Sequence, residues 1–281
     1  MNIRRWNNVK NELFKNKFAL LALITLIIFT AASVFAFLSP FDPNKMSVMD
    51  RLQSPSGGHI FGTDDYGRDY FTRALYGGRV SLAVGFLSMA VAVIVGTAVG
   101  TISGYFGGWI DNLLMRFVEV LMSIPSFFLM LLLNAYMKPG ITTLVLIIGL
   151  MTWMEIARIV RSETLSVKER EYVMYAKASG QSSFFIIFKH IVPNIASTII
   201  IAGTLNIATA ILMESSLSFL GLGVQQPNSS WGSMLNNAQG YIGDVWHLTL
   251  FPGFLILLTV LSFNVLGNVL RVAFEPKGQK Q

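Results

Sequence analysis

Cysteine is absent from the 281 residues. The chain therefore carries no disulfide framework and no thiol chemistry, and its redox compartment cannot be read from cysteine usage. Charge is scarce as well: 13% of residues are charged against 53% hydrophobic, and the mean hydropathy is +0.58. So little polar surface cannot cover a soluble core, which makes this an integral membrane protein. Three histidines without cysteine give no metal-ligand spacing, and no metal site is expected. No Gly-x-x-x-x-Gly-Lys-Ser/Thr segment occurs, so the chain cannot hold ATP in a P-loop. Gly-x-Ser-x-Gly and His-Glu-x-x-His are missing too, against an intramembrane hydrolase. No internal repeat of the kind many secondary transporters carry is evident. The net charge of +6 is spread over several short segments, which fits membrane orientation and not nucleic-acid binding.

What is present is a series of long apolar runs. Residues 18–38 follow a basic tail and exceed the h-region of a signal peptide, so they read as a transmembrane anchor. Residues 39–79 are polar and turn-rich, with Asp and Arg alternating as in a solvated loop with local ion pairs. The second span, 80–103, repeats Ala92, Gly96, Gly100 and Gly104 every four residues, a small-residue face for close helix packing within the chain. Asp111 is placed to cap a third span, 112–136, which Pro125 should kink. Residues 141–160 form the fourth span. Arg116–Glu119 and Glu155–Arg158 are each three apart and read as interfacial ion pairs. The fifth span, 195–220, contains Glu214, an intramembrane acid that lines a pathway or meets a partner subunit, with Ser215 and Ser218 beside it. In the loop 221–248, Trp231, Tyr241 and Trp246 suit the membrane interface. Pro252 opens the sixth span, to about residue 270. Thirteen Lys and Arg fall in the proposed inner segments and six in the outer ones, which places both termini in the cytoplasm.

The most informative polar stretch is 161–194, between the fourth and fifth spans. Residues before Ser179 favour helix, Gly180 stands where a helix C′ residue with positive φ belongs, and Ser182 or Ser183 can cap the next helix. That second helix, 184–192, is expected to end at Pro193, which cannot donate to an ongoing helix but suits the first turn of a new one. The outcome is a helix–turn–helix knob outside the bilayer, with Tyr175, Ala176, Ala178 and Gly180 offering a contact surface.

Here the chain resembles a known family. The spacing Ala176-x-x-x-Gly180, followed by His190-Ile191-Val192-Pro193, is similar to the EAA loop of bacterial ABC importer permeases. Met174 and Tyr175 stand in place of the family's Glu-Ala pair, His190 in place of Ile and Val192 in place of Leu. These departures fit the peptide and nickel branch, as do segments 61–69, 73–79, 214–223 and 231–235. The resemblance covers residues 59–275. It implies an all-α integral membrane protein with six transmembrane helices, in the type I importer permease fold: a five-helix core plus an N-terminal helix. Residues 1–79 would be a tail, first helix and extracytoplasmic loop, residues 80–275 the core with its coupling loop 161–194, and residues 276–281 a cytoplasmic tail.

The same resemblance implies a permease subunit of the C type, located in the cytoplasmic membrane. It would form half of a peptide pathway with a second homologous permease, two cytoplasmic ATPases, an extracytoplasmic solute-binding protein and membrane lipid around it. ATP and magnesium would reside on the ATPases, with no cofactor and no catalysis on this chain. Glu171, Tyr175, Ala176, Lys177, Ala178, Ser179, Gly180 and Pro193 would contact or support the ATPase contact. Two alternatives stay open: a nickel or metallophore importer of the same family, and an ion-coupled secondary transporter that uses Glu214.

Overall fold

The computed structural model describes residues 3–274, so the expected tail 276–281 lies outside the described residues. An amphipathic helix, α1 (Ile3–Lys15), precedes the anchor α2 (Lys17–Val34). Asn16 separates them and caps α2 by accepting from the Phe18 and Ala19 N–H groups. Most of the basic tail is thus helical, and it packs against the last helix.

The next helix, α3 (Tyr70–Phe106), begins well before the expected position 80. Asp69 sets this start by accepting from the Thr72 N–H and hydroxyl. The boundary drawn at 79/80 therefore falls inside a helix. α3 lies along α6 (Ile141–Lys168), and the four-residue glycine repeat is the reason. A Cβ at Gly96, Gly100 or Gly104 would stand 2.8, 2.5 and 2.9 Å from the carbonyl oxygens of Trp153, Ala157 and Arg161. Only glycine allows that approach, and the packing is intramolecular as expected.

The third span is broken, not merely kinked. α4 (Gly108–Met122) and α5 (Ser126–Tyr136) meet at 80° across Ser123, Ile124 and Pro125. Pro125 has no N–H to continue α4 and its φ of −56° suits the start of α5. The helix begins at Gly108, so Asp111 lies inside its first turn and does not cap it. Among the described residues, five helices are long and apolar enough to cross a membrane, or six when the bent pair counts as one span.

After α6 come α7 (Glu171–Ala178) and α8 (Ser183–Ile186), then α9 (Val192–Phe219), a short α10 (Trp231–Ala238) and α11 (Trp246–Phe274). The expected stop at Pro193 is corrected. A π-turn over Ile187–Ile191 lets the Val192 N–H reach the Ile187 carbonyl, and the rod runs from Ser183 to Phe219. Pro193 falls in the first turn of α9, where its missing N–H costs nothing. Pro252 likewise sits inside α11, which already began at Trp246. The carbonyl it leaves without a helical partner, that of Leu248, accepts from the Tyr70 hydroxyl at 2.6 Å.

One end of the bundle carries residues 39–69 and 221–245, and the other carries α7 and α8. At the first end the chain is more folded than its composition implies. Arg68 and Arg73 are each 1% exposed and Asp64 4%, so the expected solvated loop is corrected. Asp64 accepts from Arg68 Nε at 2.7 Å and lies 3.6 Å from Arg73 Nε. Burial, then the neighbouring Asp64 charge, pushes the Asp65 carboxyl above the ordinary aspartate range. Trp231, expected at the interface, is buried and donates from Nε1 to the Ala74 carbonyl at 2.9 Å. Trp246 is exposed as expected, and Tyr241 is half-buried.

Candidate functional site: the knob, the buried acid and the charged cleft

The knob is built from one turn of chemistry that the sequence spells out. Gly180 has a φ of +75°. Its N–H reaches the Lys177 carbonyl and the Gln181 N–H reaches the Ala176 carbonyl, the paired bonds of a Schellman cap. Ser182 accepts from the Phe185 N–H and starts α8. Val173 and Ala176 of α7 pack into one apolar cluster with Ile186, Ile187 and Ile191, and with Val160 and Val167 of α6. Ile195 of α9 belongs to the same cluster, so α7 is packed against both α6 and α9.

The two faces of the knob divide the expected residues. Glu171, Tyr175, Lys177, Ala178, Ser179, Gly180 and Pro193 are exposed, and Tyr175 keeps 71% of its surface. Ala176 is the exception at 6%. It belongs to the knob's own core, so its place on the contact surface is corrected. Phe184 and Phe188, which the sequence reading did not single out, are 71% and 69% exposed beside Tyr175's helix. Both precede the fifth span expected from the sequence, 195–220, and large aromatics at those helix positions were the available signal.

Glu214 is enclosed within the chain. The side chain is 0% exposed, with Ser215 at 6% and Ser218 at 2%. The carboxylate accepts from Ser81 of α3 at 2.9 Å and from Ser218 at 2.7 Å. Ser81 in turn accepts from the Trp231 N–H at 3.2 Å, and Ser218 from the Val224 N–H at 3.1 Å. The acid thus joins α3 and α9 to the segment that leads into α10. Nothing near Glu214 in sequence pointed to Ser81, which lies 133 residues away.

A second polar junction was missed for the same reason. Arg161 Nε and Nη2 each lie 2.5 Å from the Asp111 carboxylate, in a fork that ties the start of α4 to the end of α6. Lys168 Nζ adds a bond to the Gly104 carbonyl at 3.0 Å. Arg116 and Glu119 pair at 3.0 Å as expected. Glu155 and Arg158 do not: Arg158 points to the Met122 sulfur, 3.9 Å away. These four charges line a cleft of about 700 Å³ between α4 and α6, which the Asp111–Arg161 fork borders.

Among the described residues the chain is a helical bundle of five, or up to six, candidate membrane spans with a knob at one end and a charged cleft. Residues 96–280 match the family described as binding-protein-dependent transport system inner membrane component. Residues 5–55 match the N-terminal TM domain of oligopeptide transport permease C. The dipeptide transport system permease protein of Alkalihalophilus pseudofirmus is 42% identical over 97% of this chain and 90% of its own length. The oligopeptide transport system permease protein of Haemophilus influenzae is 40% identical, over 97% and 88%. The glutathione transport system permease protein of Pectobacterium atrosepticum is 36% identical, over 97% and 91%. Among solved structures, an inward-facing methionine ABC transporter aligns with a TM-score of 0.60 at 19% identity, over 72% of this chain and 97% of that one, and shows the shared fold.

The chain belongs to the binding-protein-dependent transport system inner membrane component family. It is an inner-membrane permease of an ABC importer, a transport protein that works with ATPase and solute-binding partners. That membership overturns the ion-coupled secondary transporter. The nickel alternative has no counterpart among these three relatives.

Proposed function

We propose that this chain is one of two permease subunits in an ATP-driven importer of short peptides. A second, homologous permease completes the pathway, two cytoplasmic ATPases drive it, and an extracytoplasmic binding protein delivers the solute. ATP and magnesium are held by the ATPases. Both termini and the knob face the cytoplasm, and the folded segments 39–69 and 221–245 face outward. The observation that carries this reading is the knob. Its outer face (Tyr175, Lys177, Ala178, Phe184, Phe188) is exposed while its inner face is locked to two spans. This is what a transmission element requires. Glu171, Ser179 and Gly180 border the contact, and Pro193 supports it from the start of α9. The peptide assignment rests on relatives named for dipeptide, oligopeptide and glutathione transport.

The test is reconstitution of the chain with its genomic-neighbour permease, ATPases and binding protein in liposomes. Uptake of a labelled dipeptide or tripeptide should need ATP and all components. Peptide uptake by this chain alone, without ATPases, would refute the assignment.

A further inference from the structure

The cleft between α4 and α6 has a volume of about 700 Å³, within the roughly 300–1,000 Å³ typical of small-molecule sites. Its walls carry Arg116 and Glu119 from α4 and Glu155 and Arg158 from α6. All four are exposed on helices that belong to candidate spans. Near the ends of these spans such charges face water, headgroups, protein or a transported solute and not the hydrocarbon. The Arg116–Glu119 pair leaves its members 83% and 60% exposed. Glu155 has no ion pair or hydrogen bond among the described residues, and Arg158 has only the long contact to the Met122 sulfur. The cleft is therefore lined by three acids and three bases, Asp111 and Arg161 included, of which Glu155 and Arg158 are uncommitted. The adjoining Asp111–Arg161 fork is already satisfied and frames the cleft without contributing a free charge.

Equal and opposite charges give no net attraction for a metal cation or a simple anion. They match a solute that carries both an ammonium and a carboxylate. Side chains three apart on a helix root roughly 5–6 Å from one another. An extended dipeptide spans about 7 Å, within reach of two long side chains that splay. We propose that this cleft is a transit site for zwitterionic short peptides, with Arg158 meeting the carboxylate and Glu155 the ammonium. The inference rests on the peptide-importer reading above and adds a place and a polarity to it. Arg158 presents a planar fork that suits carboxylate. Glu155 accepts the ammonium as a simple charge pair. The Arg116–Glu119 pair across the cleft keeps the opposite wall hydrated and neutral.

The experiment uses the complete importer in liposomes and reads three quantities together: dipeptide delivered, ATP hydrolysed, and partner permease retained on purification. Glu155→Gln and Arg158→Gln should each lower dipeptide delivered per ATP about tenfold, the factor that ~1.4 kcal/mol carries. Solute-stimulated ATP turnover and partner retention should remain. Arg158→Lys should recover most of the delivery, because it keeps the charge and loses only the fork. Delivery per ATP within about twofold of wild type in the doubly neutral variant would overturn the proposal. Loss of the partner permease on either substitution would also overturn it, since the charges would then belong to a subunit interface. Failure of the wild-type complex to take up any peptide would refute the peptide reading itself, whatever the variants do.

Discussion

Gly100→Val should be the most damaging small substitution in the membrane core. A Cβ at Gly100 would stand 2.5 Å from the Ala157 carbonyl oxygen, and 2.8 and 2.9 Å from Cβ and Cγ1 of Val160. Ordinary carbon contacts need about 3.5–4.0 Å. The nearest obstacle is backbone, so no rotamer change in α6 relieves it, and α3 and α6 must part locally by about 1 Å. Neighbouring contacts at Gly96 and Gly104 would loosen with that movement, because packing is the main force between helices in lipid. Overpacking costs typically 1–3 kcal/mol, and valine's helix propensity returns only a few tenths. We expect a net loss of about 2 kcal/mol, or roughly 30-fold in the unfolding equilibrium. The matched control is Gly253→Ala on α11, where nothing lies within 4 Å of the added Cβ. That change should be neutral or stabilise by up to ~1 kcal/mol. Unfolding of the purified chain in mixed micelles, followed by circular dichroism against denaturing detergent, measures both. Equal stability of Gly100→Val and wild type would refute the close α3–α6 contact.

Three other outcomes follow from the same geometry. Glu214→Leu leaves the hydroxyls of Ser81 and Ser218 without their acceptor and should cost about 1–3 kcal/mol in the same assay, whereas Glu214→Gln should retain most of the stability; a leucine variant as stable as wild type would remove the acid as a brace. Asp111→Asn weakens the fork to Arg161 and should cost about 1 kcal/mol, discounted because Arg161 is one-third exposed, and Arg161→Lys should cost a similar amount because one ammonium cannot bridge both oxygens; unchanged melting in both would show the fork to be incidental. Single cysteines placed in this cysteine-free chain at Ser56 and Asn228, both exposed, should react with an impermeant maleimide from outside spheroplasts. One at Ser166, exposed at the opposite end, should react only in opened membranes, and labelling of Ser166 from outside would invert the topology.

Much of this architecture was legible because apolar runs and special residues act locally. The Gly180 turn, the Ser182 cap, the break at Pro125 and the glycine face of α3 each depend on a few adjacent residues, and each is where the sequence places it. What could not be read depends on distant neighbours. Ser81 reaches Glu214, and Arg161 reaches Asp111, only because α3, α4, α6 and α9 pack together. The alternating Asp and Arg of residues 64–73 resemble a surface loop in composition, yet they are buried because the segments around α10 and α11 fold over them. Proline was read half right. Pro193 does open α9, but the π-turn before it joins the two helices without a stop, and at Pro252 the Tyr70 hydroxyl takes the freed carbonyl so that α11 continues. The candidate site divides in the same way: the exposed knob residues followed from pattern, whereas the inward turn of Ala176 and the enclosure of Glu214 required the packed fold.

The central claim is that the knob transmits the ATPase stroke, and one comparison tests it. Tyr175→Ala removes a large exposed side chain from the outer face and touches no buried contact of the knob. Gly180→Val forces a β-branched residue into a φ of +75° and should loosen the turn. Both variants should insert in the membrane and assemble with the second permease. The measurement is solute-stimulated ATP turnover and peptide uptake by the reconstituted complex. The account predicts that both fall at least about tenfold in each variant, as loss of a contact worth ~1.4 kcal/mol or more would produce. Wild-type turnover and uptake in both variants would contradict it.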